Sequence, residues 1–203
     1  MTPSHECPAV APAQARELAV RVLAEPWLVR ALDAVAASGL PDAWIGAGAI
    51  RDVVWGQCNG GFDPAVVRDI DVAFFDPADL SRQRDQDAEQ ALRDLARLPW
   101  EATNQAAVHT WFHDYFGGPP VPQFGSVHEA VATWPETATC VAIRRGERGL
   151  EVCAPHGLAD LLGQTWRRNP ARVSVEISLA RLDRQRVARR WPRVTVISPG
   201  RIE

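Results

Sequence analysis

Two short segments constrain the fold of this chain more than anything else in it. Residues 44–52 read WIGAGAIRD and residues 68–74 read RDIDVAF. The first is an apolar stretch that ends in a Gly-x-Gly turn and opens a helix. The second alternates acidic and apolar residues. Side chains point to opposite faces along an extended chain, so Asp69 and Asp71 share one face, about 7 Å apart along the strand. Ile70, Val72 and Phe74 take the other face and belong to a core. Two carboxylates fixed side by side repel unless a cation lies between them. Two divalent ions held roughly 3.5–4 Å apart are the common answer in phosphoryl transfer. Mg²⁺ suits such hard oxygen ligands, with Mn²⁺ as its substitute.

The glycine turn completes the constellation. Backbone unencumbered by side chains at a helix N-terminus offers N–H groups and the positive dipole end to a phosphate. Gly46, Gly48 and Ala49 are the candidates for that cradle. Arg51, one turn into the helix, either reaches a phosphate by bidentate contact or forms a salt bridge with Asp52 or Asp69. Taken alone, an acid-x-acid strand is more often a solvated edge. Taken alone, GAGAIR resembles the start of a dinucleotide fingerprint, with an acid about twenty residues on. Against that reading, Arg51 stands where a third glycine allows close helix–strand packing, and two acids alternate where one is needed.

The rest of the chain reads as a mixture of helices and strands. Residues 13–25 and 27–38 repeat apolar positions at helical spacing, and Gly39 with Pro41 closes the second helix. Helices are expected over 81–98, stopped by Pro99, over 104–116, over 126–134 with Ser126 as cap, and over 174–191. Residues 100–103 form a short strand. The segments 139–145 and 150–154 flank the turn GERG as a hairpin, and 193–198 is a last strand at a sheet edge. GGPPVPQFG is too rich in Gly and Pro for anything but a loop. At 203 residues the chain fits one domain: a flexible lead-in over 1–12, helices over 13–40, a body, and an Arg-rich segment over 164–203.

At these residues the sequence resembles the nucleotidyltransferase superfamily, the palm fold shared by DNA polymerase β and the tRNA CCA-adding enzymes. AGAIRD parallels the GGAVRD of the CCA-adding enzymes, with Ala47 in place of the first glycine unless Gly46 serves instead. NQAAVH at 104–109, WPETAT at 134–139 and APHGLADLL at 154–162 are similar to a family of small bacterial nucleotidyltransferase-like proteins. The resemblance runs from about residue 25 to the C-terminus. It implies an α/β (α+β) fold with a palm-like mixed sheet flanked by helices. It also implies a third metal-binding acid on a later strand. Glu101 is preferred there, because the order strand, helix, strand matches the palm; Glu151 on the hairpin is the alternative. The implied reaction is Mg²⁺-dependent transfer of NMP from an NTP donor to a hydroxyl on a small molecule, an RNA end or a protein. Asp69, Asp71 and Glu101 would hold two metals, and the N–H groups of Gly48 and Ala49 would bind the triphosphate. The competing reading is a nucleotide-binding or regulatory module without turnover, kept alive by Ala47 and by the two candidates for the third acid.

Other residues weigh less. Gln105 could hydrogen-bond a base or ribose, whereas Asn104 suits an N-cap of the helix expected after it. His109 and His113 would share a helix face but lack further zinc ligands, so packing is the preferred role. Trp111 and Trp134 are available for stacking, with core anchoring as the default. Four cysteines, at 7, 58, 140 and 153, form no metal or disulfide framework. From Trp166 onward ten Arg stand against three acids, on an otherwise acidic chain of formal charge −3. That tail could attract a polyanion such as RNA. The chain has no Lys at all, so compositional bias and a solvated helix are the preferred account. With no signal-peptide pattern and no apolar run near the eighteen or so residues of a membrane span, the expected location is the cytoplasm.

Overall fold

The structure is a computed structural model that describes residues 10–116, 120–171 and 173–200. The lead-in, Cys7 and the N-terminal stretch examined for a signal pattern fall largely outside it, as do the first residues of the GGPPVPQFG loop. Two helices, α1 (Pro12–Leu23) and α2 (Pro26–Ala37), each begin on a proline, whose missing N–H costs nothing in a first turn. Then come β1 (Trp44–Gly46), α3 (Ala47–Cys58), β2 (Ile70–Phe74), α4 (Arg82–Leu95) and β3 (Trp100–Asn104). The short helices α5 (Phe112–Phe116) and α6 (Val127–Val131) lead to the hairpin β4 (Ala142–Gly146) and β5 (Gly149–Cys153). The chain ends with α7 (Ala159–Leu162), β6 (Thr165–Trp166), α8 (Val175–Gln185), α9 (Val187–Arg190) and β7 (Thr195–Val196).

Five strands form one mixed sheet in the order β3-β2-β1-β4-β5. Only β2 and β3 run parallel; the other pairs are antiparallel. Because β1 and β2 are antiparallel, the glycine turn does not belong to a parallel dinucleotide-binding unit, and that reading is excluded. Strand alternation divides the sheet cleanly. Ile45, Ile70, Val72 and Ile143 pack into the main core with Leu32, Trp55, Leu92 and Trp166. Trp44, Ala73, Ala142 and Cys153 face the other way, into a smaller cluster covered by Val127 and Val131 of α6. Asp71 lies between Ile70 and Val72 and therefore emerges on this second, thinner side. Cys140 packs there too, and burial pushes its thiol up to about 12, as expected of a structural cysteine.

Several expected elements change at their ends, each for a local reason. Helix α4 stops at Leu95 rather than Leu98, since the residue before Pro99 is biased to extended backbone. Trp100 then donates its indole N–H to the Ala96 carbonyl at 2.8 Å. No single helix covers 104–116. Asn104 ends β3, and its amide donates to the Asp76 and Asp79 carbonyls at 2.7 and 2.8 Å while its oxygen accepts from the N–H of Asp76 and Ala106. Asn104 is a clamp on the loop after β2, not an N-cap. A 3₁₀ turn over Val108–Thr110 separates His109 from His113 on α5, so the two histidines share no helix face. The helix expected over 174–191 breaks at Arg186, whose φ is 50°. Strand β7 joins β6 in a separate two-stranded sheet instead of extending the main one.

The turn between β1 and α3 makes opposite demands on adjacent residues. A Cβ at Gly46 would collide with the six-membered ring of Trp134, which packs against this point of the backbone. Ala47, next in sequence, holds a left-handed φ of 49°, where a Cβ costs about 1–2 kcal/mol. Gly46→Ala is therefore expected to lower stability by about 1–3 kcal/mol through overpacking. Ala47→Gly should leave stability unchanged or raise it by about 1 kcal/mol. Urea denaturation of the two variants checks this, and equal losses at both positions would refute it.

Candidate functional site

The parallel pairing of β2 with β3 sets Asp71 directly across from Glu101. Asp69 lies just ahead of β2 rather than within it, yet its carboxylate joins the same group. One oxygen from each of Asp69, Asp71 and Glu101 lies within 4.8 Å of the others. The pairing of neighbouring strands, about 4.7–4.9 Å apart, sets how near Asp71 and Glu101 come. Asp69 and Asp71 are half-buried and Glu101 is exposed. Burial, with the charges of Asp69 and Glu101 behind it, raises the Asp71 carboxyl to about 7 against a hydrogen bond from the Gly48 backbone and the pull of Arg51. Burial also raises Glu101, with Asp69 and Glu89 adding to it and Arg82 opposing. Three hard oxygen donors crowded to this degree form a site whose unrelieved charge a divalent cation would cancel.

Glu151 is elsewhere. Strands β1 and β4 separate β5 from β2, and Glu151 accepts from Arg144 Nε at 2.6 Å on the outer hairpin. The residues expected around a phosphate also part company. Gly48 opens onto a cleft beside Asp69, whereas Gly46 lies under Trp134 and Ala49 is buried in the main core. Arg51 is buried and donates to Asp52 at 3.0 and 2.7 Å and to Gln185 at 2.6 Å. Its guanidinium also lies 4.8 Å from the Trp191 ring and 5.9 Å from that of Trp55. The salt-bridge role holds for Arg51, with Asp52 as partner. Gln105 is largely buried, donates to the Thr103 carbonyl at 3.2 Å, and lines a second cleft.

The acids form a ridge between two clefts of similar size. On one side a space of about 490 Å³ is lined by Gly48, Arg68 and Asp69 together with Arg184, Arg186 and Arg189 of the C-terminal segment. On the other, a space of about 510 Å³ is lined by Asp71, Glu101, Gln105 and the aromatic residues Trp111, Phe124 and Trp134. Sequence reasoning set the C-terminal arginines aside as a solvated face; the charge imbalance after Trp166 was the signal that could have placed them here. The WPETAT stretch at 134–139 has a structural part in the same arrangement. Glu136 of that stretch is fully buried and takes two hydrogen bonds from Arg181 of α8, at 2.5 and 3.0 Å. Asn169 donates to the Trp134 carbonyl at 2.9 Å. The stretch fastens the C-terminal segment to the body and fixes the backbone that carries Trp134.

Residues 33–196 match the model of a family described as nucleotidyltransferase. A solved structure, described as an NMR structure that reveals a CCA-adding enzyme head domain, is similar over 90% of this chain and 95% of that one. Its TM-score is 0.74 and its sequence identity 28%. No curated protein matches the chain in sequence. The five-stranded mixed sheet, its flanking helices and the match over most of the chain agree, and the protein belongs to the nucleotidyltransferase family and is an enzyme of that class.

Proposed function

We propose that this enzyme transfers a nucleoside monophosphate from an NTP to an acceptor hydroxyl, with Asp69, Asp71 and Glu101 as ligands for divalent metal, Mg²⁺ first. The observation that carries the reading is the meeting of three carboxylate oxygens within 4.8 Å of one another, beside the N-terminus of α3. The donor set fits such an ion: all oxygen, three acids, and an Asp71 carboxyl raised to about 7 by burial and by the charges of Asp69 and Glu101, which the pull of Arg51 offsets only in part. Bound there, a divalent cation supplies stabilisation of the charge that develops on the phosphoryl oxygens and favours deprotonation of the attacking hydroxyl.

The chain's own groups do the rest. Gly48, at the positive end of the twelve-residue helix α3, presents its N–H where a phosphate would replace Asp71 as the hydrogen-bond acceptor. Trp111 and Trp134 offer ring surface for a base, and Gln105 a polar amide, in the aromatic cleft. In the transfer, a bond forms between the acceptor oxygen and the α-phosphorus. The bond from that phosphorus to the bridging oxygen breaks, pyrophosphate leaves, and the acceptor's proton passes to solvent. Rate comes from positioning and from fixed charge rather than from a covalent intermediate.

Two measurements test the site. Transfer of label from an α-labelled NTP, screened over small-molecule, RNA and protein acceptors with Mg²⁺, should fall about a hundredfold or more in Asp69→Asn or Asp71→Asn. Undiminished transfer in the double variant would sink the assignment. Independently, in EDTA at pH 8 the Asp71→Asn protein should melt above the wild type. A carboxyl raised in the folded state destabilises that state progressively as pH climbs from its unfolded value near 4 to about 7, and the amide removes this loss. Adding Mg²⁺ should raise the Tm of the wild type and leave that of the variant unmoved.

A further inference from the structure

The two clefts beside the acidic ridge differ sharply in charge. Among the described residues, six arginines line the first, Arg51, Arg68, Arg184, Arg186, Arg189 and Arg190, against Asp52 and Asp69. Asp52 is already engaged, one oxygen by Arg51 and the other by Arg190 at 2.7 Å. Among the described residues, the guanidinium groups of Arg68, Arg184, Arg186 and Arg189 have no ion pair or hydrogen bond. The second cleft is the reverse. Its two arginines are occupied, Arg82 by Asp85 at 2.8 Å and Arg181 by Glu136, which leaves Asp71 and Glu101 to set its sign.

The gathering of these arginines is built rather than incidental. In an uninterrupted helix Arg184 and Arg186 would point about 160° apart and could not share a cleft. The left-handed Arg186, at φ 50°, breaks the helix so that α9 starts in a new direction. Arg190 and Gln185 then lock the junction onto Asp52 and Arg51 of α3. The result brings arginines from α8, the junction and α9 to face Arg68 across about 490 Å³. Four unpaired cations around one small space repel each other unless an anion joins them. Guanidinium groups pair with phosphate oxygens bidentately, and several together suit adjacent phosphates better than one.

We propose that this cleft is a metal-independent binding site for two adjacent phosphates, as in inorganic pyrophosphate or the diphosphate end of a nucleotide. Its role, though not its existence, rests on the transfer proposed above: the C-terminal segment holds the β- and γ-phosphates of the donor and keeps the leaving pyrophosphate on one side of the acids. An oligonucleotide backbone shares the phosphate chemistry but spaces its charges singly, and the test separates the two sources.

The experiment is calorimetric titration of the full chain in EDTA with pyrophosphate and, separately, with a single-stranded ribonucleotide octamer. Pyrophosphate should bind the wild type and bind the Arg184→Ala/Arg189→Ala double variant about tenfold or more weakly. Glu101→Gln, which removes a metal ligand but no arginine, should bind at least as well as the wild type. If circular dichroism shows the double variant unfolded, Arg68→Ala on the opposite lip takes its place with the same expected loss. Three results would overturn the proposal: no binding to the wild type, equal binding by the arginine variant, or tighter binding of the octamer than of pyrophosphate. Because no turnover is read, absent nucleotidyl transfer would leave this site standing, and failed pyrophosphate binding would leave the transfer reading standing.

Discussion

The carboxylate of Asp52 is the point on which the arrangement of the site depends. One oxygen takes Arg51, its neighbour on α3, and the other takes Arg190, at the far end of the chain. The group is buried, and removing a buried ion's partner commonly costs about 3–5 kcal/mol. Everything around it is arranged to keep these charges satisfied: Gln185 accepts from Arg51, and Trp55 and Trp191 close over the guanidinium. Thus the AIRD stretch is mainly a fastening for the C-terminal segment, and the cleft beside Asp69 exists because that segment is held there. Glu136 and Arg181 repeat the device higher on α8.

The acids pose the opposite problem, since nothing among the described residues neutralises them fully. Parallel pairing of β2 and β3 brings Asp71 and Glu101 side by side, and Asp69 adds a third charge. Burial and the charges of Asp69 and Glu101 together raise the Asp71 carboxyl. The fold bears it because Ile70, Val72 and Phe74, interleaved with these acids, are fully buried or nearly so on the other face. A strand that anchors the core can carry an unfavourable group on its reverse, and a site placed there is held in position by the packing behind it.

What could be read in the sequence follows from how local each signal was. Period-two alternation in RDIDVAF gave the right faces for Asp69, Asp71 and their apolar neighbours, because strand geometry needs no distant partner. Glu101 could be preferred over Glu151 because the element order resembles that of the palm, and the register sets Glu101 across from Asp71. Asn104 misled because its cap propensity is real, while its partners Asp76 and Asp79 lie about 25 positions earlier and cannot be seen from a window. The arginines of the C-terminal segment were legible as charge and illegible as position. Their convergence needs the break at Arg186, and nothing in RQRVARR announces a left-handed arginine.

The two sites of backbone strain nearest the acids lie on opposite sides of the ridge. Ala47 borders the aromatic cleft and Arg186 the arginine cleft, and both hold positive φ values that glycine would hold without penalty. Strain of this kind persists only where the surroundings impose it, and it gathers at binding sites more than elsewhere. Ala47 is held from one side by its N–H bond to the Val141 carbonyl at 3.1 Å, and Arg186 by the hydrogen bond that Gln185 accepts from Arg51 and the ion pair of Arg190 with Asp52. Among the described residues Asp42 and Gln164 also hold positive φ, at 45° and 53°, outside both clefts. Strain alone therefore does not locate the site, but at Ala47 and Arg186 it coincides with the two clefts that flank the carboxylates.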